Sequence, residues 1–411
     1  MKVLIATTYF PQTSETFILD HATSLIKAGI EVSVLSLFAS TSKVFHKDFH
    51  QYRLEDRTIN ERSSHISRLS SAFIQLKQAT YALFRYPKCF FSLLRDKSIK
   101  KKRTYFAAFG LTKIYRDTDI IHAHFGNVGL RMTNLKKIGI ISSNTPIVCS
   151  FHGSDIDDPI YRQQPNFYSQ FFKEVSLIVS NSAYIKNRLL EIGCNNNKIV
   201  ILKNGINLND FFPTAATETK SKNNTITILT VARLTEFKGL QYGVKAVKLL
   251  VDDGVKSIKY IIVGDGELRN ELEKLVEDLA LSSFVTLVGM KSRQEIINHY
   301  SESDIFILPG IISAHGRVET QGIVLQEAQA MGLPVITTNV GGIPEGVLDK
   351  KTGFLVEQKN ANQLAEKIKL LIHNPDLRLT MGKAAAKYVG KFYDQNKLQQ
   401  QVIQHYKNLV A

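Results

Sequence analysis

The 411 residues are 44% hydrophobic and 22% charged, a composition that supports two or three packed cores and excludes a globally disordered chain. No apolar run reaches the roughly 18–20 residues that a membrane-spanning helix requires, and three scattered cysteines, Cys89, Cys149 and Cys194, with no CxxC, exclude a disulfide scaffold or a cysteine-zinc site and fit a reducing cytosol. The net charge is +15, and residues 57–116 alone hold fourteen Lys/Arg against Glu61 and Asp96, with ten Phe/Tyr interleaved, among them Phe73, Tyr81, Phe84, Phe90, Phe91 and Phe106.

In chain order, residues 3–6 read as a buried strand too short for a signal-peptide core. A helix pattern over 16–28 ends at Gly29, and 31–37 reads as the next strand, the punctuation of a βαβ unit. The basic stretch 57–116 suits an anionic membrane surface better than nucleic acid; ordinary helices with a solvated basic face are the plainer alternative. Strands follow at 120–123, 147–151, 177–180 and 199–202, with a helix over 183–192. The polar stretch 214–224 reads as a linker. A second α/β series then places strands at 227–232, 259–263, 285–288, 305–308, 334–337 and 353–356, with helices between them. The strands lack alternation, as expected where helices cover both faces. The fold class is therefore α/β, with a doubly wound parallel sheet in each half. The halves divide at 1–210 and 211–387, and the helical end, about 388–411, returns to the first.

Ligands of such sheets bind beyond the carboxyl ends of the strands, so polar groups just after each strand are the candidates. Arg233 and Lys238 flank the start of a helix in the second half, a suitable diphosphate site. Gly264 and Gly266, in Gly264-Asp265-Gly266-Glu267, permit close approach of backbone to ligand or simply make a tight turn. Glu319-Thr320-Gln321-Gly322 leads into an apolar helix beginning at Ile323. Glu319 belongs to the loop, whereas Glu327 lies among Val324, Leu325, Ala328 and Met331, where a carboxylate needs a partner: a ribose diol or a structural cation. Gly341-Gly342-Ile343-Pro344-Glu345 is a further contact or a structural turn. In the first half, His124 and His152 follow strands, with Ser154 and Asp155 beside the latter. A metal pair lacks a third ligand at any recognisable spacing, and the adjacent Ser154 and Asp155 do not converge on one histidine. Hydrogen bonding to substrate or backbone, or a satisfied buried histidine, remains.

Taken together, Phe151-His152-Gly153-Ser154-Asp155, Lys203-Asn204-Gly205-Ile206, Arg233 with Lys238-Gly239, Val263-Gly264-Asp265-Gly266-Glu267, and Glu319 followed by Glu327-Ala328 resemble glycosyltransferase family 4. The resemblance implies the GT-B fold, two Rossmann-like domains facing a cleft, and transfer of sugar from a nucleotide-sugar with retention of anomeric configuration. It further implies that Arg233 and Lys238 hold the donor diphosphate, Glu319 the sugar hydroxyls and Glu327 the ribose, with Gly264, Gly266, Gln321, Gly322 and Ile323 lining the donor site. His152 falls beside the anomeric centre, and Thr16, His124 and Asp155 on the acceptor side. No divalent metal and no cofactor are implied. The loop 7–17, with Ser14-Glu15-Thr16-Phe17 in place of a Gly-Gly turn, looks like the bacterial branch that builds colanic-acid-type exopolysaccharides; the loop 311–318 is longer than in many members. The expected protein is a hexosyltransferase using a UDP- or GDP-sugar and a lipid-linked or oligosaccharide acceptor, cytoplasmic and peripheral on the inner membrane, with no nucleic-acid partner. A nucleotide-sugar epimerase, or a basic binding protein without catalysis, is the alternative.

Overall fold

The computed structural model describes residues 1–12, 15–40, 47–62, 68–157, 166–213 and 225–411. The expected linker at 214–224 and part of the basic stretch, 63–67, lie outside the described residues.

Two parallel sheets carry the chain. The first contains β1 (Lys2–Phe10), β2 (Glu31–Ala39), β3 (Thr58–Asn60), β4 (Ile120–His124), β5 (Ile147–Phe151), β6 (Leu177–Ser180) and β7 (Ile199–Ile201), ordered β3-β2-β1-β4-β5-β6-β7. The second contains β8 (Ile226–Val231), β9 (Ile258–Val263), β10 (Val285–Gly289), β11 (Ile305–Leu308), β12 (Val335–Thr338) and β13 (Gly353–Val356), ordered β10-β9-β8-β11-β12-β13. Strand order reverses between β1 and β4 in one sheet and between β8 and β11 in the other, and these are the switch points at which doubly wound sheets open a crevice. β4 and β5 are buried along their whole length, which explains their unbroken apolar runs. β3 was not foreseen: Thr58-Ile59-Asn60 has no apolar run, and only pairing with Val34, Leu35 and Ser36 of β2 makes it a strand.

Among the helices are α1 (Thr16–Lys27), α2 (Arg68–Arg85), α3 (Pro87–Arg95), α4 (Gly126–Lys137), α5 (Ala183–Glu191), α6 (Leu240–Asp252), α7 (Ile323–Ala330), α8 (Pro375–Phe392) and α9 (Gln395–Val410). The helical end of the chain is therefore two helices. The break at Tyr393–Asp394 pairs with the other interdomain crossing: Ile206 N–H donates to the Tyr393 carbonyl at 2.7 Å, and Gln395 N–H to the Ile206 carbonyl at 3.1 Å. Asp394 then caps α9 by accepting the Asn396 N–H at 3.0 Å. α8 stays on the second sheet, with Met381 and Val389 in its core. α9 crosses to the first, where Tyr406 joins Val3, Ile5, Leu25 and Val32.

The basic stretch divides in two. Glu61 is buried and takes the guanidinium of Arg131 at both Nη2 and Nε, while Arg131 also lies 4.4 Å from the centroid of Tyr105. Phe90 and Phe106 stack on one another at 5.9 Å, so these aromatics belong to local packing rather than to a surface. Phe73, Leu76 and Phe84 of α2 are the opposite, 70%, 66% and 80% exposed. Removing the carboxylate of a buried pair strands its partner, which costs about 3–5 kcal/mol. Glu61→Ala should lower the unfolding free energy in urea by that amount; a loss below about 1 kcal/mol would contradict the pairing.

Candidate active site

The two domains meet through residues 319–321, between β11 and α7, which touch the loops after β5, β6 and β7. Thr320 Oγ1 donates to the His152 carbonyl at 3.1 Å and accepts from Asn181 Nδ2 at 3.3 Å. The Gln321 amide closes a ring with one peptide of the first domain, accepting from Asn204 N–H at 2.8 Å and donating to the Asn204 carbonyl at 2.9 Å. Gln321, expected on the donor, is thus engaged in joining the domains. Glu345, at the turn after β12, accepts the N–H groups of Ala183 and Tyr184 at 2.7 and 2.9 Å. Both belong to the first turn of α5, whose N–H groups have no carbonyl within the helix to bond, and there a carboxylate also meets the positive end of the helix dipole.

Across this seam stand the charged residues. Lys238 ends a short turn just before α6 and forms an ion pair with Glu319. Burial raises the Glu319 carboxyl, but the Lys238 ammonium and the backbone N–H groups of Thr320 and Gly322 outweigh it and hold the group below its usual range. Arg233, after β8, is exposed and makes no ion pair among the described residues. Glu15, from the loop before α1, faces it electrostatically: burial pushes this carboxyl to about 7, with Arg233 pulling the other way. Glu327, inside α7, has Oε2 accepting the Tyr300 hydroxyl at 2.9 Å. Burial raises its pKa while Arg293 and Tyr300 oppose the rise, and Arg293 is itself bonded to Asp210 at 3.0 Å. Asp20 of α1 faces the same group of charges, lifted by burial to about 6.

On the first-domain side, His124 Nδ1 lies 3.0 Å from His152 Nε2, and His124 Nε2 lies 3.0 Å from Nδ1 of His21. His21 is the third imidazole that spacing could not offer; it sits on α1, over a hundred residues before His124 in the chain. Phe17 lies over His152 with ring centroids 4.4 Å apart. Burial lowers the pKa of all three histidines, to about 4 for His21 and about 3 for His152, with no opposing carboxylate among the described residues. They are neutral at pH 7. Asp155 is buried, with its oxygens taken by the N–H groups of Gly126, His152 and Gly153 at 2.9, 3.1 and 2.9 Å. It shapes the loop that carries His152 and is not directed outward to an acceptor. Thr16 is the first residue of α1, half-buried at the cleft.

Two family descriptions match this chain side by side: Glycosyltransferase Family 4 over residues 14–210 and Glycosyl transferases group 1 over residues 212–388. The putative colanic acid biosynthesis glycosyltransferase WcaL of Escherichia coli is 30% identical over 90% of this chain and 90% of its own. The chain belongs to glycosyltransferase family 4. The amylovoran biosynthesis glycosyltransferase AmsK of Erwinia amylovora is also 30% identical, over 93% of this chain and 92% of its own. Among solved structures, a glycosyltransferase of Rickettsia africae aligns with a TM-score of 0.73 at 22% identity, over 100% of this chain and 98% of its own. HepE of Anabaena, in complex with UDP and glucose, aligns with a TM-score of 0.75 at 17% identity, over 99% of each chain. The architecture is GT-B and the protein is a transferase, which sets aside the epimerase and the non-catalytic binding readings.

In the transferase, the glycines serve the backbone first. A Cβ on Gly264 would stand 1.9 Å from the Ala232 carbonyl oxygen, and one on Gly266 2.6 Å from that of Leu234. They allow the loops after β8 and β9 to lie against each other. Gly341 and Gly342 likewise let their loop lie on Glu319 and Thr320, with a Cβ on Gly342 only 1.8 Å from the Thr320 carbonyl oxygen. Gly322 caps α7 with a left-handed backbone, φ +71°, and Ile323 begins the helix half-buried. The loop 311–318 folds back on itself, with Arg317 N–H donating to Ser313 Oγ at 3.0 Å and Ala314 N–H to Glu236 at 2.8 Å. Removing the Glu345 carboxylate should weaken the closed arrangement by about 1–3 kcal/mol. Small-angle scattering of Glu345→Ala should then give a larger radius of gyration than the parent; equal radii would show that the pair does not hold the domains.

Proposed function

We propose that the transferase moves a hexosyl group from a nucleotide-sugar to a lipid-linked or oligosaccharide acceptor of a bacterial surface polysaccharide. Retention of configuration, no divalent metal, and work at the inner face of the cytoplasmic membrane complete the reading. The observation that carries it is the Lys238–Glu319 ion pair beside Arg233 at the start of α6, pressed against the His152 peptide through Thr320. A diphosphate arriving at Arg233 and Lys238 takes over the lysine, which releases Glu319 to accept hydroxyl groups of the sugar. The two cations then stabilise the leaving phosphate without reorganisation. Asp155, the acid beside His152 in sequence, is tied to backbone N–H groups, which argues against a covalent double displacement through it and for a front-face route. In that route the departing phosphate removes the acceptor proton. The printed names of WcaL and AmsK support the polysaccharide class, and the UDP and glucose of the Anabaena structure are in keeping with a UDP-sugar donor.

Lys238→Ala should cut turnover about 10²–10³-fold and weaken donor binding together, and Glu319→Ala should abolish transfer from a protein of unchanged circular dichroism. Near-normal turnover in either variant would remove that residue from the site. A thermal-shift screen of nucleotide-sugars should single out a UDP-sugar, since binding to the folded state raises its stability by mass action.

Membrane docking rests on a separate observation. Phe73, Leu76 and Phe84 of α2 and Phe91 and Leu94 of α3 are exposed among Lys77, Arg85, Lys88 and Arg95. Among the described residues no helix is long and apolar enough to cross a membrane. Burying a phenylalanine is worth about 1.5–3 kcal/mol. Replacing Phe73 and Phe84 together by Ser should reduce co-sedimentation with anionic vesicles at least about tenfold; equal sedimentation of parent and variant, or of parent with neutral and anionic vesicles, would reject the surface.

A further inference from the structure

Behind His152 lies an unbroken chain of side-chain hydrogen bonds that reaches the returning helix α9. Tyr406 Oη meets His122 Nδ1 on one side and His21 Nε2, at 3.1 Å, on the other. His122 Nε2 lies 2.7 Å from Ser150 Oγ. From His21 the chain continues through Nδ1 to His124 Nε2 and from His124 Nδ1 to His152 Nε2, each at 3.0 Å. Of the nitrogens in this chain, His152 Nδ1 alone is buried without a partner among the described residues.

A neutral imidazole has one N–H and one lone pair, and a phenol has one O–H. The chain therefore admits two one-way proton orders, and a third in which the Tyr406 oxygen accepts from both His122 and His21 and leaves two groups unmatched, its own O–H and the His152 Nδ1 lone pair. In the order that starts at Ser150, its O–H donates to His122 Nε2 and His122 Nδ1–H to the Tyr406 oxygen. The Tyr406 O–H then donates to His21 Nε2, His21 Nδ1–H to His124 Nε2, and His124 Nδ1–H to His152 Nε2. Every donor in that order has an acceptor except the Nδ1–H of His152. The reverse order leaves the Ser150 hydroxyl without an acceptor among the described residues and points a bare lone pair from His152 Nδ1. A buried donor or acceptor left unmade costs more than a made bond gains, so the first order prevails. The histidines are also grouped as a metal site would be, His21, His122 and His124, but both nitrogens of each are already in this chain.

We propose that Ser150, His122, Tyr406, His21 and His124 are positioning residues that lock His152 in its Nδ1–H tautomer, so that it offers a neutral hydrogen-bond donor to an oxygen of the bound substrate. Resting on the reading that His152 faces the reacting sugar, the proposal makes that histidine a donor and not a base. The tautomer can be read without any turnover, from ¹⁵N–¹H correlation spectra of histidine-labelled protein, with the His152 signals assigned by its loss in His152→Asn. The expected result is a single Nδ1–H tautomer in the parent protein and a mixture in Tyr406→Phe. The latter should also turn over about tenfold more slowly at a donor KM changed by less than about threefold, the effect of one lost hydrogen bond. His152→Asn, whose amide N–H falls near the Nδ1 position, should retain at least about tenfold more activity than His152→Gln, whose amide reaches the Nε2 position. If Tyr406→Phe does not fold, Ser150→Ala breaks the same order at its other end. An Nε2–H tautomer or an imidazolium in the parent, an unchanged tautomer in both variants, or one equivalent of zinc by elemental analysis overturns the proposal. A parent that transfers no sugar would instead count against the transferase substrate reading and leave the tautomer result to judge the relay.

Discussion

One short segment, Glu319-Thr320-Gln321, fixes how the two sheets face each other. Below it the backbone of Gly341 and Gly342 comes so close that a Cβ at either would overlap the carbonyl oxygens of Glu319 and Thr320. Above it a Cβ on Gly153 would stand 2.5 Å from the Thr320 methyl. The segment is a filled layer between the domains, and side chains on both flanks of Thr320 lock it: Gln321 to the Asn204 peptide, and Thr320 to Asn181 and the His152 carbonyl. The nearness of Glu319 to the His152 loop follows from that contact, because residues adjacent in the chain cannot be displaced independently.

Burial then sets the charge state of each wall. The first-domain wall is built of histidines that cannot afford a proton so far from water, so it is neutral and acts by hydrogen-bond direction. The second-domain wall carries Arg233, Lys238 and Arg293, and the protein's own acids stand against them: Glu15 toward Arg233, Glu319 on Lys238, and Asp210 on Arg293. Glu15 and Asp20, both raised by desolvation, come from the opposite domain. These cations are thereby kept partly neutralised by carboxylates, which a phosphate with more charge and more acceptor oxygens can displace.

Much of this was legible in the residues. Glycine-terminated helices and unbroken apolar strands gave both sheets, because burial on two faces leaves a local signature that no tertiary contact need supply. That Arg233, Lys238 and Glu319 stand in the loops after β8 and β11 was legible for the same reason, since the strand ends are marked locally. The glycines and Gln321 were less so. A glycine records that something comes close without recording whether it is ligand or backbone, and here the neighbour is backbone. The basic stretch shows the same ambiguity: Glu61 is interior and Phe106 packs half-buried against the core, whereas Phe73 and Phe84 are exposed, although their composition reads alike.

The sequence by itself determined the doubly wound fold, the two successive sheets and the placing of Arg233 and Lys238 between β8 and α6, because each depends on a short window of chain. Tertiary structure alone decided what stands behind and across from them. His21, Tyr406, Glu15 and Glu345 lie in segments far from their partners, and no spacing rule links α1 or α9 to His152. The Lys238–Glu319 pair that opened as two expected ligand contacts is likewise a product of the fold, since two opposite charges 81 positions apart meet only when both loops close over the same crevice.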